Sequence, residues 1–337
     1  MSSHHRNKAK MRAAVIHGPR DIRVEAVDRP ALQNDEVLVR VKVCGICGTD
    51  LHLYKTGTAP NKILGHEWSG EVAEIGSEVK GLSVGDRVAG VGFRLSGGHY
   101  NVPGEGLDGA FAEYVAVPNP LVGNTFLKLP SSLSWELAAT IEPVSIACFA
   151  VEQAQLQPKD TVVIFGAGMI GQCIAQICKN VGVSKVIVFE PSANRRAMAS
   201  EMGSDAAFNP LETDPVKAVE KATTGRMASV IFECSGVPTS FFKAIQMTRF
   251  FGRIMQIGFF EQDIQLSAEL VNRLTTYRNI TWRGCGGQKW DMALDMVNSG
   301  KVNTKKLITH EFPLDSIQEA FKVQLDAEKA IKVIVKP

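Results

Sequence analysis

The sequence lacks the features that would place the chain in a membrane or on a nucleic acid. No uninterrupted apolar run approaches the roughly 20 residues that a helix needs to cross a bilayer. The 37 lysines and arginines are balanced by 35 aspartates and glutamates, so the net charge of +2 gives no basic excess for nucleic acid. The first ten residues, MSSHHRNKAK, have no apolar core. They therefore do not form a signal peptide, and we expect them to be a disordered extension.

Cysteine is too sparse for a disulfide framework. Seven cysteines, an odd number, occur among 337 residues with no secretion signal, so we expect reduced thiols in the cytoplasm. Cys44 and Cys47 form a C-x-x-C pair, but the chain has no second pair to complete a four-cysteine zinc site. The βαβ context of a thioredoxin-type redox pair is missing as well. Cys44 is therefore interpreted as a small buried apolar residue.

The chain does contain a dinucleotide-binding fingerprint. Residues 161–171 read TVVIFGAGMIG, an apolar β-rich run followed by three glycines in the spacing G-x-G-x-x-G. This spacing permits a tight turn, close approach of the backbone to a pyrophosphate, and packing of the next helix on the strand. The N-terminus of that helix offers free N–H groups to the phosphates. The residues expected to contact the cofactor here are Gly166, Gly168, Met169, Ile170 and Gly171.

A second apolar run, Lys185–Phe189, ends on an acidic residue. Glu190 follows Gly171 by 19 positions, where a carboxylate should meet the hydroxyls of the adenosine ribose. Because a carboxylate hydrogen-bonds a ribose diol and repels a 2′-phosphate, the sequence predicts NAD rather than NADP. The alternative, a tight glycine turn in some other α/β unit, accounts less well for the strand, turn, helix and acid together.

The length suggests two domains of about 150 residues each. Residues 11–43 alternate short β-rich runs with turns, which is typical of antiparallel strands, whereas β-α alternation from Thr161 onwards predicts a parallel doubly wound sheet. The fold class is therefore α/β, with a Rossmann domain at residues 146–284 inserted into a β-rich catalytic domain at 1–145, to which 285–337 returns. The strands expected in the parallel sheet are 161–165, 185–189, 205–208, 229–233 and 252–257.

Three other segments allow local predictions. Residues 90–109 contain seven glycines and are expected to form an exposed loop. The helical pattern of residues 134–149 is expected to be interrupted at Pro143. After residue 284, the patterns predict helices at Trp290–Asn298 and Ser316–Gln324 and a final strand at Ala330–Val335.

Potential metal ligands occur close together in the first part of the chain. Cys47, His66 and Glu67 can together make a zinc site, since thiolate, imidazole and carboxylate are all competent ligands of Zn²⁺. Glu142 is a further carboxylate that could bind the ion directly or through water. A lone histidine such as His66 is more often a core residue, so spacing by itself leaves that alternative open.

Six motifs occur in an order that resembles the medium-chain zinc-dependent alcohol dehydrogenases. They are Cys47-Gly48-Thr49-Asp50-Leu51-His52, Gly65-His66-Glu67-x-x-Gly70, Gly85-Asp86-Arg87-Val88, Asp108-Gly109-Ala110-Phe111-Ala112-Glu113-Tyr114, Glu142-Pro143 and Gly166–Gly171. The resemblance covers nearly all of residues 11–337. It is strongest to the polyol branch, which contains sorbitol (L-iditol) and butanediol dehydrogenases, with threonine dehydrogenase close by. It implies that the β-rich catalytic domain is GroES-like.

The resemblance implies a role for each candidate metal ligand. Cys47 matches the family's catalytic zinc cysteine, because it is the cysteine followed by Gly-Thr-Asp-x-His. His66 matches the zinc histidine, and Glu67 matches the adjacent acid that ligates zinc or lies beside it. Glu142 matches the acid of the polyol branch that binds zinc directly or through water.

The same resemblance implies a proton relay and further cofactor contacts. Thr49 matches the residue whose hydroxyl touches the reacting alcohol, and His52 matches the histidine that receives the proton through Thr49 and the ribose hydroxyls. Arg195 falls where NAD-dependent relatives carry an arginine near the adenine. Ile257 and Gly258 fall where the family's backbone holds the nicotinamide.

One departure from the family concerns a second metal. Many relatives carry a structural zinc on four closely spaced cysteines before the D-G-x-F-A-E-Y strand. Residues 90–109 contain no cysteine. We therefore expect one catalytic zinc per chain and no structural zinc.

The expected function is zinc-dependent oxidation of a secondary alcohol or polyol to the ketone, with hydride transfer to NAD. Two alternatives stay open: a threonine-type dehydrogenase acting on an amino alcohol, and a non-catalytic NAD-binding protein that kept the fold. The expected partners are a small-molecule alcohol and further copies of the chain, but no nucleic acid and no membrane. A homodimer or homotetramer could form through an edge strand near residues 280–286.

Overall fold

The computed structural model of the protein describes residues 9–96 and 99–337. Apart from its last two positions, the extension expected at residues 1–10 lies outside the described residues. The chain divides into two compact units. Unit 1 runs to Glu142 and also contains Ile308–Asp326 and Lys332–Pro337, whereas unit 2 contains Pro143–Leu307 and Ala327–Ile331. In the described part of the chain, no helix is long and apolar enough to cross a membrane.

Unit 1 is built mainly from strands. Its central strand β3 is rich in valine and almost entirely buried, since it has neighbours on both sides in the sheet. The strands of unit 1 are β1 Lys10–Gly18, β2 Asp21–Asp28, β3 Glu36–Gly45, β4 Glu67–Ile75, β5 Arg87–Gly90, β6 Arg94–Ser96, β7 His99–Pro103, β8 Gly106–Leu107, β9 Tyr114–Pro118, β10 Phe126–Lys128, β17 Ile308–Pro313 and β18 Lys332–Lys336.

The main sheet of unit 1 has the order β10-β5-β4-β3-β18-β17, with β9 also paired to β3. At the end of β3, Gly45 lies opposite Glu67 of β4 on one side and opposite Ile334 of β18 on the other. A Cβ atom at Gly45 would lie 2.6 Å from Glu67 Oε2 and 3.5 Å from Lys332 Cδ. The register therefore brings the first residues of β4 and β18 together over a position that has no side chain.

The glycine-rich stretch at residues 90–109 is more ordered than expected, so the prediction of an exposed loop is wrong. Strands β6, β7 and β8 form a small three-stranded sheet in this stretch. Pro103, Gly104 and Gly109 are buried. The glycines here serve close backbone approach, since a Cβ atom at Gly109 would lie 2.5 Å from the carbonyl oxygen of Gly65. Gly97 and Gly98, which belong to the same predicted loop, lie outside the described residues.

The helices of unit 1 are short. Two of them are α1 Gly48–Thr56, which follows β3, and α10 Ile317–Leu325, which packs against β18. Between residues 134 and 154, a four-residue helix α2 Trp135–Ala138 is followed by α3 Ile141–Ala154. Pro143 therefore does not interrupt a helix, contrary to the prediction. It lies in the first turn of α3, where an N–H group has no intrahelical acceptor to lose.

Unit 2 contains the predicted parallel doubly wound sheet. Its strand order is β13-β12-β11-β14-β15-β16, the arrangement in which two β-α-β halves run outward from a central pair. This confirms the α/β fold class. The strands are β11 Thr161–Phe165, β12 Lys185–Phe189, β13 Ala206–Phe208, β14 Ala228–Glu233, β15 Thr248–Gln256 and β16 Thr281–Gly284.

Helices connect these strands and cover an apolar core. Phe165 stacks on Phe189, with ring centroids 5.3 Å apart, and Phe189 stacks on Phe208 at 5.8 Å. These rings extend the buried cluster that β11, β12 and β14 form with the following helices. The helices are α4 Met169–Val181, α5 Ala193–Glu201, α6 Pro215–Ala222, α7 Pro238–Met247, α8 Ala268–Asn272 and α9 Trp290–Asn298, and a π-helical turn at Arg273–Tyr277 continues α8.

Candidate metal and dinucleotide sites

Three side chains of unit 1 converge at the N-terminal end of α1. Cys47 immediately precedes α1, whereas His66 and Glu67 lie at the start of β4. One ligand atom from each, a sulfur, a nitrogen and an oxygen, all lie within 4.8 Å of one another. His66 and Glu67 are buried and Cys47 is half-buried. Within the described residues, this is the only group of three or more such side chains close enough to hold a metal ion.

Asp50 holds the two segments that carry these side chains. Its Oδ2 atom accepts a hydrogen bond from the backbone N–H of Cys47 at 2.9 Å, and its Oδ1 atom accepts one from the N–H of Gly65 at 3.2 Å. The same carboxylate lies 3.9 Å from Nδ1 of His66. Asp50 is fully buried, and this burial raises its pKa to about 6, although His66 and the backbone donors oppose the shift.

The donor set fits a zinc ion. Ligand atoms placed about 2.0–2.3 Å from a tetrahedral zinc would be about 3.3–3.8 Å apart, and the ligand atoms of the present cluster lie within 4.8 Å of one another. Burial raises the pKa of the Cys47 thiol, and the His66 imidazole works against that shift. The Nδ1 atom of His66 is buried and makes no hydrogen bond to any described residue. A half-buried thiol, a buried imidazole with an unsatisfied nitrogen and a buried carboxylate together form a site that a divalent cation would satisfy.

Glu142 lies near this cluster but is not part of it. Glu142 is buried. Burial would lower the pKa of His66, but the Cys47 thiolate outweighs this effect and the pKa is raised, with a smaller contribution from the charge of Glu142. The group of ligand atoms that lie within 4.8 Å of one another does not include its carboxylate.

Lys332, which was predicted only as part of an apolar strand, lies against the cluster. Its Nζ atom is 2.5 Å from Glu67 Oε2 and donates to the carbonyl oxygen of Ile46 at 2.9 Å. Both side chains are almost completely buried, with 4% of Lys332 and 2% of Glu67 exposed. Burial by itself would lower the pKa of Lys332, but the Glu67 carboxylate outweighs it and the pKa is raised. Glu67 is therefore held by a cation from the chain itself.

The residues predicted for proton relay both lie on α1. Thr49 and His52 are three positions apart, so they share one face of the helix. The hydroxyl of Thr49 lies 3.9 Å from the sulfur of Cys47. Both side chains are half-buried. The helix thus places a hydroxyl beside the candidate metal ligand and an imidazole one turn further along.

In unit 2, the fingerprint forms the turn from β11 into α4. Gly166 has φ = +87°, a left-handed conformation that side chains disfavour. A Cβ atom at Gly171 would lie 2.0 Å from the carbonyl oxygen of Gly166, so only glycine allows this approach of helix to strand. The first turn of α4 presents the N–H groups of Met169, Ile170 and Gly171, which have no intrahelical acceptors.

Glu190 lies at the end of β12, beside this turn. It is buried, and its Oε2 atom accepts a hydrogen bond from the N–H of Ala167 at 2.7 Å. Its Oε1 atom accepts a hydrogen bond from the N–H of Ser192 at 3.0 Å. The carboxylate is thus fixed between the glycine turn and the start of α5.

Arg195 faces the second glycine of the fingerprint. Its Nη1 atom would lie 4.0 Å from a Cβ atom at Gly168. Its Nε and Nη2 atoms donate to the carbonyl oxygen of Ala330, at 3.0 Å and 2.7 Å. Burial lowers the pKa of Arg195, and the charges of Glu190 and Glu328 oppose that change.

The turn that contains Ile257 and Gly258 is tied to the end of β14. Both N–H groups donate to the carbonyl oxygen of Glu233, at 2.9 Å each. The buried Glu233 carboxylate accepts from the N–H of Gly236 at 3.0 Å and from the side chain of Gln256 at 2.8 Å. Burial raises the pKa of this carboxyl. These bonds join two turns at the carboxyl edge of the sheet, where doubly wound folds bind their ligands.

Comparison with known proteins identifies both parts of the chain. Residues 33–130 match the family model described as the alcohol dehydrogenase GroES-like domain, and residues 170–301 match the model described as zinc-binding dehydrogenase. The (R,R)-butanediol dehydrogenase of Bacillus subtilis (strain 168) is 32% identical over 97% of this chain and 100% of its own length. The chain belongs to the zinc-binding dehydrogenase family. This confirms the resemblance to zinc-dependent alcohol dehydrogenases and the GroES-like domain, and makes the protein an oxidoreductase.

Other relatives fall in the branch that the motifs indicated. The sorbitol dehydrogenase of Bacillus subtilis (strain 168) is 32% identical, with 97% of each chain covered. The L-threonine 3-dehydrogenase of Pyrococcus furiosus is 34% identical over 91% of this chain and 93% of its own. The polyol and threonine branch of the family is therefore confirmed.

Solved structures match nearly the whole chain. The 2R,3R-butanediol dehydrogenase from Bacillus subtilis superimposes with a TM-score of 0.86 at 30% identity, covering 97% of this chain and 99% of that one. An Escherichia coli CFT073 alcohol dehydrogenase complexed with NADH gives a TM-score of 0.87 at 28% identity, with 98% and 100% covered. A putative zinc-binding dehydrogenase from Sinorhizobium meliloti 1021, bound to NADP, gives 0.87 at 26% identity, with the same coverage.

Sequence reasoning missed the residues that hold the site residues in place. Asp50 stands inside the motif Gly48-Thr49-Asp50, but its carboxylate gave no separate signal. Lys332 was detectable in principle, since a lysine at the start of an apolar strand is unusual unless it is paired. Glu328 precedes that strand in a polar connection and had no signal at all.

Proposed function

We propose that the protein oxidises a secondary alcohol or polyol to the ketone, using one catalytic zinc ion and NAD. The observation that carries this proposal is the convergence of Cys47, His66 and Glu67 at the end of α1, the helix that also carries Thr49 and His52. A metal site beside a hydroxyl and an imidazole on one helix face supplies a Lewis acid and a proton path, which suits alcohol oxidation.

The similarity to butanediol and sorbitol dehydrogenases supports an alcohol with hydroxyl groups on neighbouring carbons as substrate. The L-threonine 3-dehydrogenase of Pyrococcus furiosus is 34% identical over a smaller share of this chain, 91%, which supports an amino alcohol as the second candidate. Both substrate classes carry a secondary hydroxyl next to a polar substituent. They differ in the charge of that substituent, so a substrate panel separates them.

The residues of this cluster and of α1 have separate roles in metal binding and proton transfer. Cys47 and His66 would hold the zinc ion, with Glu67 as the third ligand and Glu142 as the acid beside it. When bound, the zinc polarises the alcohol oxygen and NAD accepts a hydride from the carbinol carbon. Thr49 would take the hydroxyl proton, because its own hydroxyl lies 3.9 Å from the sulfur of the cysteine ligand. His52 would receive that proton through the ribose hydroxyls, since its imidazole lies one turn along the same face of α1.

In unit 2, the cofactor assignment rests on the glycine turn and the acid beside it. The N–H groups of Met169, Ile170 and Gly171 would bind the pyrophosphate. Glu190 would hydrogen-bond the adenosine ribose, Arg195 would lie near the adenine, and the turn at residues 257–258 would hold the nicotinamide. Family members of known structure bind NADH or NADP, so the carboxylate of Glu190 is the feature that favours NAD.

Two features of the chain support the rest of the assignment. Residues 90–109 have no cysteine, which supports a single zinc per chain, and all seven cysteines are free thiols, which supports a reducing compartment such as the cytoplasm. Strand β16 is the edge of the parallel sheet and all four of its residues are exposed. An exposed edge of this kind supports a homodimer, or a homotetramer built from such dimers.

Metal analysis and a substrate panel test the function together. The purified protein should contain about one zinc per chain and reduce NAD with polyols, vicinal diols, amino alcohols or simple secondary alcohols. Cys47→Ser should lose both the zinc and the activity. Cys44→Ala is the matched control, because this neighbouring cysteine is buried but contributes no ligand atom to the cluster, so the variant should keep its zinc. An active protein without metal, or two zinc ions per chain, would contradict the proposal.

A further inference from the structure

The start of α5 is crossed by a segment from near the end of the chain. Ala327–Ala330, called the crossing segment below, belongs with Ile331 to unit 2, although Asp326 before it and Lys332 after it belong to unit 1. The hydroxyl of Ser192 donates to the carbonyl oxygen of Ala327 at 2.9 Å, and the side-chain amide of Asn194 donates to that of Glu328. Arg195 donates twice to the carbonyl oxygen of Ala330. The crossing segment is therefore fixed against the residues that follow Glu190.

These hydrogen bonds occupy the donor groups that a phosphate bound at the start of α5 would need. A 2′-phosphate on the adenosine ribose is bound through a cation and through N–H groups at a helix N-terminus. Here the N–H of Ala193, the first residue of α5, donates to Oε1 of Glu328 at 3.2 Å. Arg195 is held by the crossing segment, and Nη1 of Arg196 donates to the carbonyl oxygen of Glu190 at 2.8 Å.

The charges around Arg195 also disfavour a 2′-phosphate. Arg195 interacts electrostatically with two carboxylates, Glu190 and Glu328. With Arg196, whose guanidinium donates to the carbonyl oxygen of Glu190, two guanidiniums face two carboxylates, so Glu328 cancels positive charge that would otherwise favour a phosphate at the position that Glu190 defines. Glu190 is buried, but Glu328 is exposed, so its effect is screened by salt. A ribose diol does not need a surplus of positive charge, whereas a phosphate carrying about two negative charges does.

We propose that Glu328 is a second determinant of selectivity for NAD over NADP, acting with Glu190. Its carboxylate occupies the N–H group of Ala193 and adds a negative charge beside Arg195. This inference rests on the proposed function, in which the glycine turn and Glu190 bind the adenosine end of NAD.

The test compares cofactor affinities directly and does not depend on turnover. NADH and NADPH are titrated into the full-length protein, and the cofactor fluorescence gives the two Kd values. Glu328→Gln should lower the Kd for NADPH about three- to tenfold and leave the Kd for NADH within about twofold, because only the phosphate feels the lost charge. Glu328→Lys should shift the ratio further, and raising the salt concentration should reduce both effects.

A matched control separates local from overall charge. Glu212→Gln removes one carboxylate from an exposed position of the same unit, and it should leave the ratio of the two Kd values unchanged. If both Glu328 variants bind NADH normally with an unchanged ratio, the inference is wrong and the proposed use of NAD stands. If the unaltered protein binds neither cofactor, the proposed function itself is overturned, and the inference with it.

Discussion

The buried pair of Lys332 and Glu67 gives a sharp prediction about stability. Replacing Lys332 by methionine keeps an unbranched side chain but removes the ammonium group, which leaves the Glu67 carboxylate 2% exposed and without its cation. Breaking a buried ion pair in this way costs about 3–5 kcal/mol of unfolding free energy. We therefore expect metal-free Lys332→Met to be less stable than the unaltered metal-free protein by about this amount.

The double variant tests whether the loss of stability comes from the unpaired charge of the Glu67 carboxylate. Glu67→Leu combined with Lys332→Met replaces both charges by apolar groups of similar size, a change that is often neutral or stabilising for buried pairs. The double variant should therefore be more stable than Lys332→Met alone, with a coupling energy of about 2–3 kcal/mol. Lys336→Met is the matched control on the same strand, because Lys336 is 42% exposed and its surface ion pairs contribute about 1 kcal/mol or less.

Urea unfolding in the presence of a chelator, followed by tryptophan fluorescence, measures these differences. Zinc should reduce the loss in Lys332→Met, since the metal ion then supplies the missing positive charge to Glu67. The reasoning would be refuted if Lys332→Met matched the control variant in stability, or if the two single changes added without coupling in the double variant.

Two further predictions concern unit 2. Gly171→Ala would place a Cβ atom 2.0 Å from the carbonyl oxygen of Gly166, so we expect NADH binding to weaken at least about tenfold with the zinc content unchanged. The control is Gly18→Ala, which should bind NADH normally because a Cβ atom at Gly18 would have no other atom within 4 Å. Trp282→Glu puts a charge on the exposed edge strand β16 and should reduce the mass measured by light scattering to that of a monomer. Val84→Glu, at a surface position of unit 1, should leave the measured mass unchanged. A monomeric unaltered protein would contradict the proposed assembly.

The parallel sheet could be predicted closely where its strands are buried on both faces. The predicted strands 161–165 and 185–189 coincide with β11 and β12 at both ends, because short runs rich in valine and isoleucine are bounded by a glycine turn or an acid. The edge strand β16 reads Thr-Trp-Arg-Gly and has no such run. It was anticipated only as a possible edge near residues 280–286, since its existence depends on pairing with β15.

Composition misled the prediction for residues 90–109. Glycine is usually a signal of turns and loops, and seven glycines within 20 residues outweighed every other pattern there. In the structure, several of these glycines allow backbone to lie directly on backbone, as Gly104 and Gly109 do against Gly65. A glycine needed for close packing and a glycine needed for flexibility look the same in the sequence.

The candidate metal ligands could be named from the sequence because the contacts that position them are mostly local. Asp50 lies three residues after Cys47 and fifteen residues before Gly65, and both of its hydrogen bonds are made within that short span. The partner of Glu67 is different, since Lys332 is 265 residues away and reaches it only through the pairing of β18 with β3. The motif therefore specifies which side chains can bind the metal, whereas the strand register decides how one of them is oriented and neutralised. A change in β18 that shifted this register by one residue would turn Lys332 to the opposite face of the sheet and leave the carboxylate of Glu67 without its cation, with the ligand motif itself intact.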